Sequence, residues 1–256
     1  MQEVGYGGRI FVISHFEMEN ELRSACDRYS QEVVSLPPDA LIGFFLERHP
    51  GKVAFSSSLG AEDQVLTHML AATGNSVKLF TLDTGRLFQE TYELLDSTIQ
   101  RYQLPIEVYF PHTRQVENMV NEHGINLFYQ SIENRKLCCH IRKIEPLKRA
   151  LEGMEIWISG IRREQSVTRV DTPSIEWDAD LGLIKVHPLI DWKDEDVWHY
   201  IREHKVPYNT LHDKGYPSIG CLPCTRAILP GEDVRAGRWW WELPDLKECG
   251  LHILNK

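Results

Sequence analysis

The sequence predicts an α/β fold built on a mainly parallel sheet. From residue 39 onward, short apolar segments with the character of buried strands alternate with amphipathic segments of helical period. Connections of ten or more residues allow successive strands to run parallel, with the helices packed on the faces of the sheet. The composition agrees, since 42% hydrophobic and 25% charged residues in a chain of 256 are ordinary for a globular protein.

The first two thirds of the predicted domain contain four strands and five helices. DALIGFFLERHPG predicts a helix with an aspartate cap and a Pro-Gly stop. It is followed by a buried strand (KVAFSSS), a helix (AEDQVLTHMLAAT), a strand that ends in a turn (VKLFTLDTG) and a long amphipathic helix (RLFQETYELLDSTIQRYQ). IEVYFP predicts a third strand and residues 114–123 a further helix. IRKIEPLKRALEG then predicts a helix despite Pro146, and EIWISGI a fourth strand.

Beyond residue 160 the pattern changes. SIEWDADLGLIKVHPL predicts two short strands around DADLG, WKDEDVWHYIREHK predicts a capped helix, and the chain is rich in Gly and Pro from Tyr208 onward. No repeat or linker interrupts the pattern. We therefore expect one ligand-binding domain at residues 39–240, an N-terminal segment of unknown role at residues 1–38, and a mobile C-terminal tail at residues 241–256.

Charge and hydropathy limit the partners and the location. A net charge of −9 argues against binding to a nucleic-acid backbone, which needs a broad cationic surface. No apolar run approaches the ~20 residues that cross a bilayer, and the N-terminus lacks the features of a signal peptide. We expect a cytoplasmic protein without nucleic-acid or membrane partners. Thiols stay reduced there, so the spacing of the six cysteines indicates metal or redox chemistry.

Four cysteines occur as two pairs. Cys138 and Cys139 are adjacent, and Cys221 and Cys224 form a C-x-x-C motif. Four thiolates can hold zinc or an iron–sulfur cluster. Adjacent side chains point to opposite faces of a strand and diverge by about 100° in a helix, which suits one tetrahedral ion poorly. The pattern favours a [4Fe–4S] cluster, with a structural zinc site as the alternative.

Two strand ends predict an anion-binding site. SSSLGAED follows a strand and opens a helix, so small residues such as Ser57 and Ser58 would let backbone amides approach an anion at the positive end of that helix. The next strand ends in LDTG, and parallel strands bind ligands at their carboxyl edge. Asp83 in that turn is expected either to contact a ribose or to cap the following helix.

Basic residues cluster in the loop-like segments of an otherwise acidic chain. Arginine suits phosphate and sulfate because its planar fork donates two hydrogen bonds to an oxyanion. The clustered cations are Arg142, Lys143, Arg162, Arg163, Arg169, Arg235 and Arg238. The three consecutive tryptophans at positions 239–241 are expected to serve packing.

The tail carries one more cysteine, Cys249, in the sequence KECGLH. Glycine, charged residues and histidine surround it instead of core-forming residues. A terminal segment of this kind is usually mobile, so its thiol is poorly placed for packing and well placed for chemistry.

Taken in order, several motifs resemble the assimilatory adenylylsulfate (APS) reductases, close relatives of the 3′-phosphoadenylylsulfate (PAPS) reductases. They are SSSLGAED, LDTGRLFQET, CCHIRKIEPLKRAL, GIRREQSVTR, GYPSIGCLPCTR, GRWWWE and KECGLH. The resemblance spans residues 50–252. It implies a fold similar to the ATP-pyrophosphatase-like (adenine nucleotide alpha hydrolase-like) domains, a [4Fe–4S] cluster, and reduction of APS to sulfite and AMP in sulfate assimilation and cysteine biosynthesis.

The resemblance also implies roles for individual residues. Cys138, Cys139, Cys221 and Cys224 would ligate the cluster. The nucleophile would be Cys249, which forms an S-sulfocysteine that thioredoxin or glutaredoxin resolves. Lys143, Arg169, Arg235 and Arg238 would contact the phosphosulfate. The serine loop resembles both branches of the family, so PAPS reduction or dual specificity is an alternative.

Two other functions stay open: an ATP-using pyrophosphatase of similar fold, which would leave KECGLH unexplained, and a zinc-based interaction module, which would leave the arginines unexplained.

APS is favoured over PAPS because a site that selects an additional ribose phosphate needs a cation near the ribose. Around LDTGRLFQE that cation could only be Arg86. The oligomeric state is left open.

Overall fold

A computed structural model describes residues 15–74, 77–166 and 169–243 of the chain. Its centre is a six-stranded sheet in the order β3-β2-β1-β4-β6-β5. The strands are β1 (Val53–Ser56), β2 (Lys78–Leu82), β3 (Glu107–Tyr109), β4 (Ile156–Ile158), β5 (Ile175–Asp178) and β6 (Leu183–Val186). Five strands run parallel, and β5 pairs antiparallel with β6. The predicted parallel sheet and its terminal pair of short strands are confirmed.

Eight α-helices surround the sheet in the described part of the chain. They are α1 (His15–Glu32), α2 (Pro38–Arg48), α3 (Ala61–Thr73), α4 (Gln89–Tyr102), α5 (Thr113–His123), α6 (Ile132–Cys139), α7 (Glu145–Leu151) and α8 (Asp194–His204). The sequence pattern predicted six of them and missed α1 and α6. None of the described helices is both long and apolar enough to span a membrane.

The central strands are apolar on both faces because helices cover both sides of the sheet. Phe55 of β1 and Ile158 of β4 belong to the larger core, which includes residues of α2, α3 and α8. Ala54 and Trp157, one position away on the same strands, point into a second core against α7. This alternation fixes the register of β1 and β4, and so fixes which side chains leave the sheet at its carboxyl edge.

Helix α1 packs on the same domain. Cys26 is buried in the larger core, and burial raises the pKa of its thiol to about 11. Tyr29 packs edge-on against Phe44, and its hydroxyl is hydrogen-bonded to Nε2 of His49 at 3.2 Å. Helix α1, from the segment to which the sequence assigned no role, therefore contributes to the core.

The chain stays helical from α6 into α7, but it widens in between. His140–Ile144 form a π-helical turn that joins the two helices. Pro146, at the start of α7, has no N–H to donate to the preceding turn, so the predicted helix across this region begins only at Glu145. The wide turn follows directly after Cys139, and such π turns often occur at functional sites.

Candidate functional site

A deep cleft opens at the carboxyl edge of the sheet. Its floor is formed where β1, β2 and β4 end, and the space inside it, including its solvent-open mouth, is about 1520 Å³. Ser57 and Ser58 line it after β1, Thr84 after β2, and Ser159 after β4. This is the edge at which parallel α/β sheets bind their ligands.

The serine loop is held by its own hydrogen bonds. Both the amide and the hydroxyl of Ser58 donate to Oδ2 of Asp63, each at 2.6 Å. The Ser57 hydroxyl accepts from the amide of Leu59 at 3.1 Å, and Leu59 takes a left-handed conformation with φ of 61°. Burial raises the pKa of the Asp63 carboxyl to about 6. The loop therefore brings the N-terminus of α3, with its partial positive charge, to the wall of the cleft.

Gly160 allows the end of β4 to pass close to this loop. A Cβ atom at Gly160 would lie 2.3 Å from Oδ1 of Asp63 and 3.2 Å from Cβ of Glu62. No side chain fits there without moving the first turn of α3. The glycine therefore sets the width of the cleft between β4 and α3.

The predicted substrate cations Lys143, Arg169, Arg235 and Arg238 all line the cleft. Arg238 is 8% exposed, and its Nη1 donates only to Ser218 at 3.3 Å and to the Ile219 carbonyl at 3.5 Å. Its Nε has no hydrogen-bond partner, and within the described residues no carboxylate pairs with it. A buried cation without a counter-charge favours an anionic ligand.

Another arginine of the basic clusters has a different role. Arg162 also borders the cleft, but it is buried against Glu62 at 2.7 Å, Glu164 at 3.1 Å and Asp194 at 3.2 Å. Its charge is already balanced by these carboxylates. Arg162 therefore links α3 to α8 and is a poor candidate for an additional anion.

Asp83 and Arg86 lie beside the cleft but do not line it. Asp83 Oδ1 accepts from the Gly85 amide at 2.7 Å and from the Tyr92 hydroxyl at 3.0 Å. These are the contacts of a residue that stabilises the turn, and its contact with a ribose stays a prediction. Arg86 instead donates to the Ile125 carbonyl at 2.9 Å and borders a second cavity.

The four paired cysteines line this second, smaller cavity. It is bordered by Arg86, Phe128, Arg135, Cys138, Cys139, Arg142, Lys143, Cys221, Pro223 and Cys224. Lys143 and Cys221 also line the cleft, so the two cavities share a wall. The two predicted cysteine pairs therefore border one cavity, and their role as cluster ligands stays a prediction.

The thiols are close enough to influence one another. Burial raises the pKa of Cys224 to about 12, and the nearby Cys221 and Cys138 contribute to the rise. Burial also raises the pKa of Cys138, while Arg142 opposes that rise. The Thr84 hydroxyl lies 3.3 Å from Sγ of Cys221. Among the residues described, no group of three or more His, Cys, Asp or Glu side chains is arranged to hold a single metal ion.

A sequence model described as the phosphoadenosine phosphosulfate reductase domain matches residues 52–227. The chain belongs to this reductase family. The adenosine 5′-phosphosulfate reductase of Allochromatium vinosum is 54% identical over 205 residues, which cover 80% of each chain.

Solved structures agree with the family and the fold. The phosphate complex of a phosphoadenylyl-sulfate reductase from Candida auris has a TM-score of 0.69 and 29% identity, and the match covers 80% of this chain and 97% of that one. The FMN adenylyltransferase of Candida glabrata has a TM-score of 0.52 at 16% identity, over 84% and 75% of the chains. The adenine nucleotide alpha hydrolase-like fold predicted for the reductase domain is confirmed.

The last described residues of the reductase are packed against the domain. Trp239 is buried, and the Trp241 ring lies 4.4 Å from that of Tyr129, as expected for packing tryptophans. Glu242 accepts from Nε of Arg135 at 2.7 Å. Cys249 and the rest of the tail lie outside the described residues, so the role of Cys249 stays a prediction.

Sequence reasoning missed several residues that line the cleft of the reductase. Ser159, Trp157 and Ser218 belong to it, and Trp157 donates to the Ser56 hydroxyl at 2.7 Å across the floor. A signal for Ser159 was present, because the predicted strand EIWISGI ends there and β4 lies next to β1. No local pattern marked Ser218, whose position depends on the long loop after α8.

Proposed function

We propose that this reductase converts adenylylsulfate to sulfite and AMP, with thioredoxin or glutaredoxin as the reductant. The observation that carries the proposal is the shared wall of the two cavities. Lys143 and Cys221 border both a nucleotide-sized cleft, rich in cations, and a cavity with four cysteines. A phosphosulfate bound by the cations would lie beside the cysteine cavity.

The cations of the cleft support a substrate with an extended anionic group. Among the residues that the structure describes, Arg238 has no carboxylate partner, and Lys143, Arg169 and Arg235 border the same space. Backbone amides near Ser57 and Ser58, at the start of α3, would add hydrogen-bond donors for a phosphate. These groups would neutralise the charge that develops on the leaving AMP.

The cysteine cavity fits a [4Fe–4S] cluster. Each of Cys138, Cys139, Cys221 and Cys224 would bind a different iron, so their sulfur atoms need not converge on one point. When bound, the cluster would supply an anionic iron–sulfur group at the edge of the cleft. The side chains of Lys143 and Arg142 lie where they would offset that charge.

The proposed reaction proceeds in two transfers at the thiol of Cys249. Its thiolate attacks the sulfur of adenylylsulfate, the bond from that sulfur to the phosphate oxygen breaks, and AMP leaves with the electron pair. This forms an S-sulfocysteine. A thiolate of the reductant then attacks the Cys249 sulfur and releases sulfite, and the second thiol of the reductant closes its disulfide and frees Cys249. A tail that carries Cys249 from the cleft to the reductant would suit both steps. The proposed location of the reaction is the cytoplasm.

The position of Arg86 favours adenylylsulfate over the nucleotide with an additional ribose phosphate. Arg86 is the cation nearest in sequence to the predicted ribose turn, yet it donates to residues at positions 125 and 126 and does not line the cleft. The named activity of the Allochromatium vinosum relative agrees with this preference. The Candida auris relative is named for the other nucleotide, so dual specificity is the alternative.

Two measurements test the proposal. With thioredoxin in excess, kcat/KM for APS should exceed that for PAPS at least about tenfold, which corresponds to ~1.4 kcal/mol. Cys249→Ser should form no sulfite while it still binds AMP, whereas Cys26→Ala, the matched removal of a core thiol, should stay active. Equal kcat/KM values would contradict the assignment to APS. Substantial turnover by Cys249→Ser would exclude that thiol from the reaction.

A further inference from the structure

A buried relay of three side chains ends at the cleft. Ser159 leaves β4 at its carboxyl end, His187 directly follows β6, and Glu176 lies on β5. The Ser159 hydroxyl is 2.9 Å from Nδ1 of His187, and Nε2 of His187 is 3.3 Å from Glu176 Oε1. Ser159 is 3% exposed and His187 is 0% exposed, and only Ser159 borders the cleft.

The charges around this relay determine where its protons lie. Lys185 is buried between Asp178 at 2.5 Å and Glu176 at 3.8 Å, so the Glu176 carboxylate is paired with a cation. An ionised carboxylate only accepts hydrogen bonds, so Nε2 of His187 carries the hydrogen. Burial lowers the pKa of His187 from its ordinary value, which keeps the ring neutral and leaves Nδ1 as an acceptor. The Ser159 hydroxyl must therefore donate to Nδ1.

Once its hydrogen is committed to His187, the Ser159 oxygen can only accept a hydrogen bond from a ligand in the cleft. Phosphate and sulfate oxygens are acceptors themselves, so Ser159 is unsuited to the phosphosulfate end of a nucleotide. The donors on an adenosine nucleotide are the ribose hydroxyls and the exocyclic amine of the base. Ser159 matches that half of the ligand.

The relay differs from the triad of the serine hydrolases. There the serine hydroxyl bonds Nε2 and the carboxylate bonds Nδ1. Here the two attachments to His187 are reversed, and the imidazole has no exposure to the cleft. The arrangement suits the orientation of a hydroxyl better than the activation of a nucleophile.

We propose that Ser159 accepts a hydrogen bond from a donor on the nucleoside half of the substrate, and that His187 is a positioning residue that fixes the direction of this hydroxyl. The donor is a ribose hydroxyl or the amine of adenine. The inference rests on the proposed function, because it places an adenosine nucleotide in the cleft.

The test measures dissociation constants by calorimetry for AMP, 2′-deoxy-AMP, 3′-deoxy-AMP and purine riboside monophosphate, which lacks the amine. The wild-type protein should bind one of the three analogues on the order of fivefold more weakly than AMP, the effect of one neutral hydrogen bond. In Ser159→Ala that difference should vanish, so that AMP and the analogue bind equally. The affected analogue identifies the donor, and Ser97→Ala on α4 should keep the wild-type pattern.

His187→Asn and His187→Phe test the positioning role. Both should reduce the discrimination between AMP and the affected analogue while the affinity for that analogue stays within about twofold of wild type. A purely structural role would weaken all four ligands together. Equal binding of all four nucleotides by the wild type, or full discrimination by Ser159→Ala, would overturn the inference. A wild-type protein that binds no AMP and reduces no APS would instead overturn the proposed function, and with it the basis for this inference.

Discussion

The segment that leads towards Cys249 is fixed to the domain by a buried ion pair. Nε of Arg135 donates to Oε1 of Glu242 at 2.7 Å, and the two side chains are only 2% and 3% exposed. The Arg135 guanidinium also lies 4.7 Å from the centre of the Trp239 ring. Glu242→Gln keeps the volume of the side chain and removes the charge that balances Arg135.

The expected loss of stability follows from this burial. Removal of one partner of a buried pair costs about 3–5 kcal/mol, because the remaining charge is left in a poorly solvated place. The glutamine oxygen can still accept from Arg135, so we expect the lower end, about 3 kcal/mol. In a chain of this size 1 kcal/mol lowers Tm by about 2–4 °C, so Glu242→Gln should lower it by roughly 6–12 °C.

Thermal unfolding followed by circular dichroism measures this shift. Glu203→Gln is the matched control, since Glu203 pairs with His199 at 3.5 Å and its side chain is 60% exposed. An exposed pair contributes at most about 1 kcal/mol, so the control should unfold within roughly 4 °C of wild type. If Glu242→Gln and Glu203→Gln shift Tm equally, the buried pair does not anchor this segment.

Three further predictions concern the site. Cys224→Ala should lose its iron, because it removes one of four ligands; full iron content by colorimetric assay would contradict the ligand set. Lys143→Ala should lower kcat for APS at least about tenfold, the effect of ~1.4 kcal/mol of lost charge stabilisation, while the iron is retained. The control Lys148→Ala, on the exposed face of α7, should keep the wild-type kcat. Equal activity of the wild type and both variants would remove Lys143 from catalysis. Burial raises the pKa of Asp63 from 3.8 to about 6, so the folded protein holds this proton more tightly than the unfolded chain and loses stability as pH rises from about 4 to about 6; urea unfolding of Asp63→Asn should show a flatter decline over that range, and an unchanged decline would contradict this.

The parallel sheet could be predicted because its strands have short apolar runs and each is followed by a helix of sufficient length. Helix α1 also carried a signal that the prediction overlooked. Leu22, Ala25, Cys26 and Tyr29 follow helical spacing, and all four lie in or against the core. For α6 the signal was weaker, since the helix has only eight residues and its clearest mark is Ser131, which accepts from the Asn134 amide at 3.1 Å.

The sequence indicated which types of residue belong to the candidate site, but not which neighbours each side chain contacts. Arg162 and Arg238 are alike in sequence, since each lies in a loop-like segment with another arginine within three residues. In the folded chain Arg162 is surrounded by carboxylates from three separate segments, whereas the hydrogen bonds of Arg238 within the described residues go to a hydroxyl and a carbonyl, and its guanidinium lies over the Trp239 ring. That difference depends on contacts between residues up to about 100 positions apart, which no local pattern encodes.

The dipeptide Gly220–Cys221 couples the two halves of the candidate site. A Cβ atom at Gly220 would lie 2.4 Å from Nη2 of Arg238, so the glycine is required for the guanidinium to occupy the wall of the cleft. Cys221, the next residue, borders both the cleft and the cysteine cavity. Any side chain at position 220 would therefore displace the Arg238 guanidinium from its place beside the cysteine that borders both cavities. The wall of the cleft and the cysteine cavity are thus linked through this one turn of the chain.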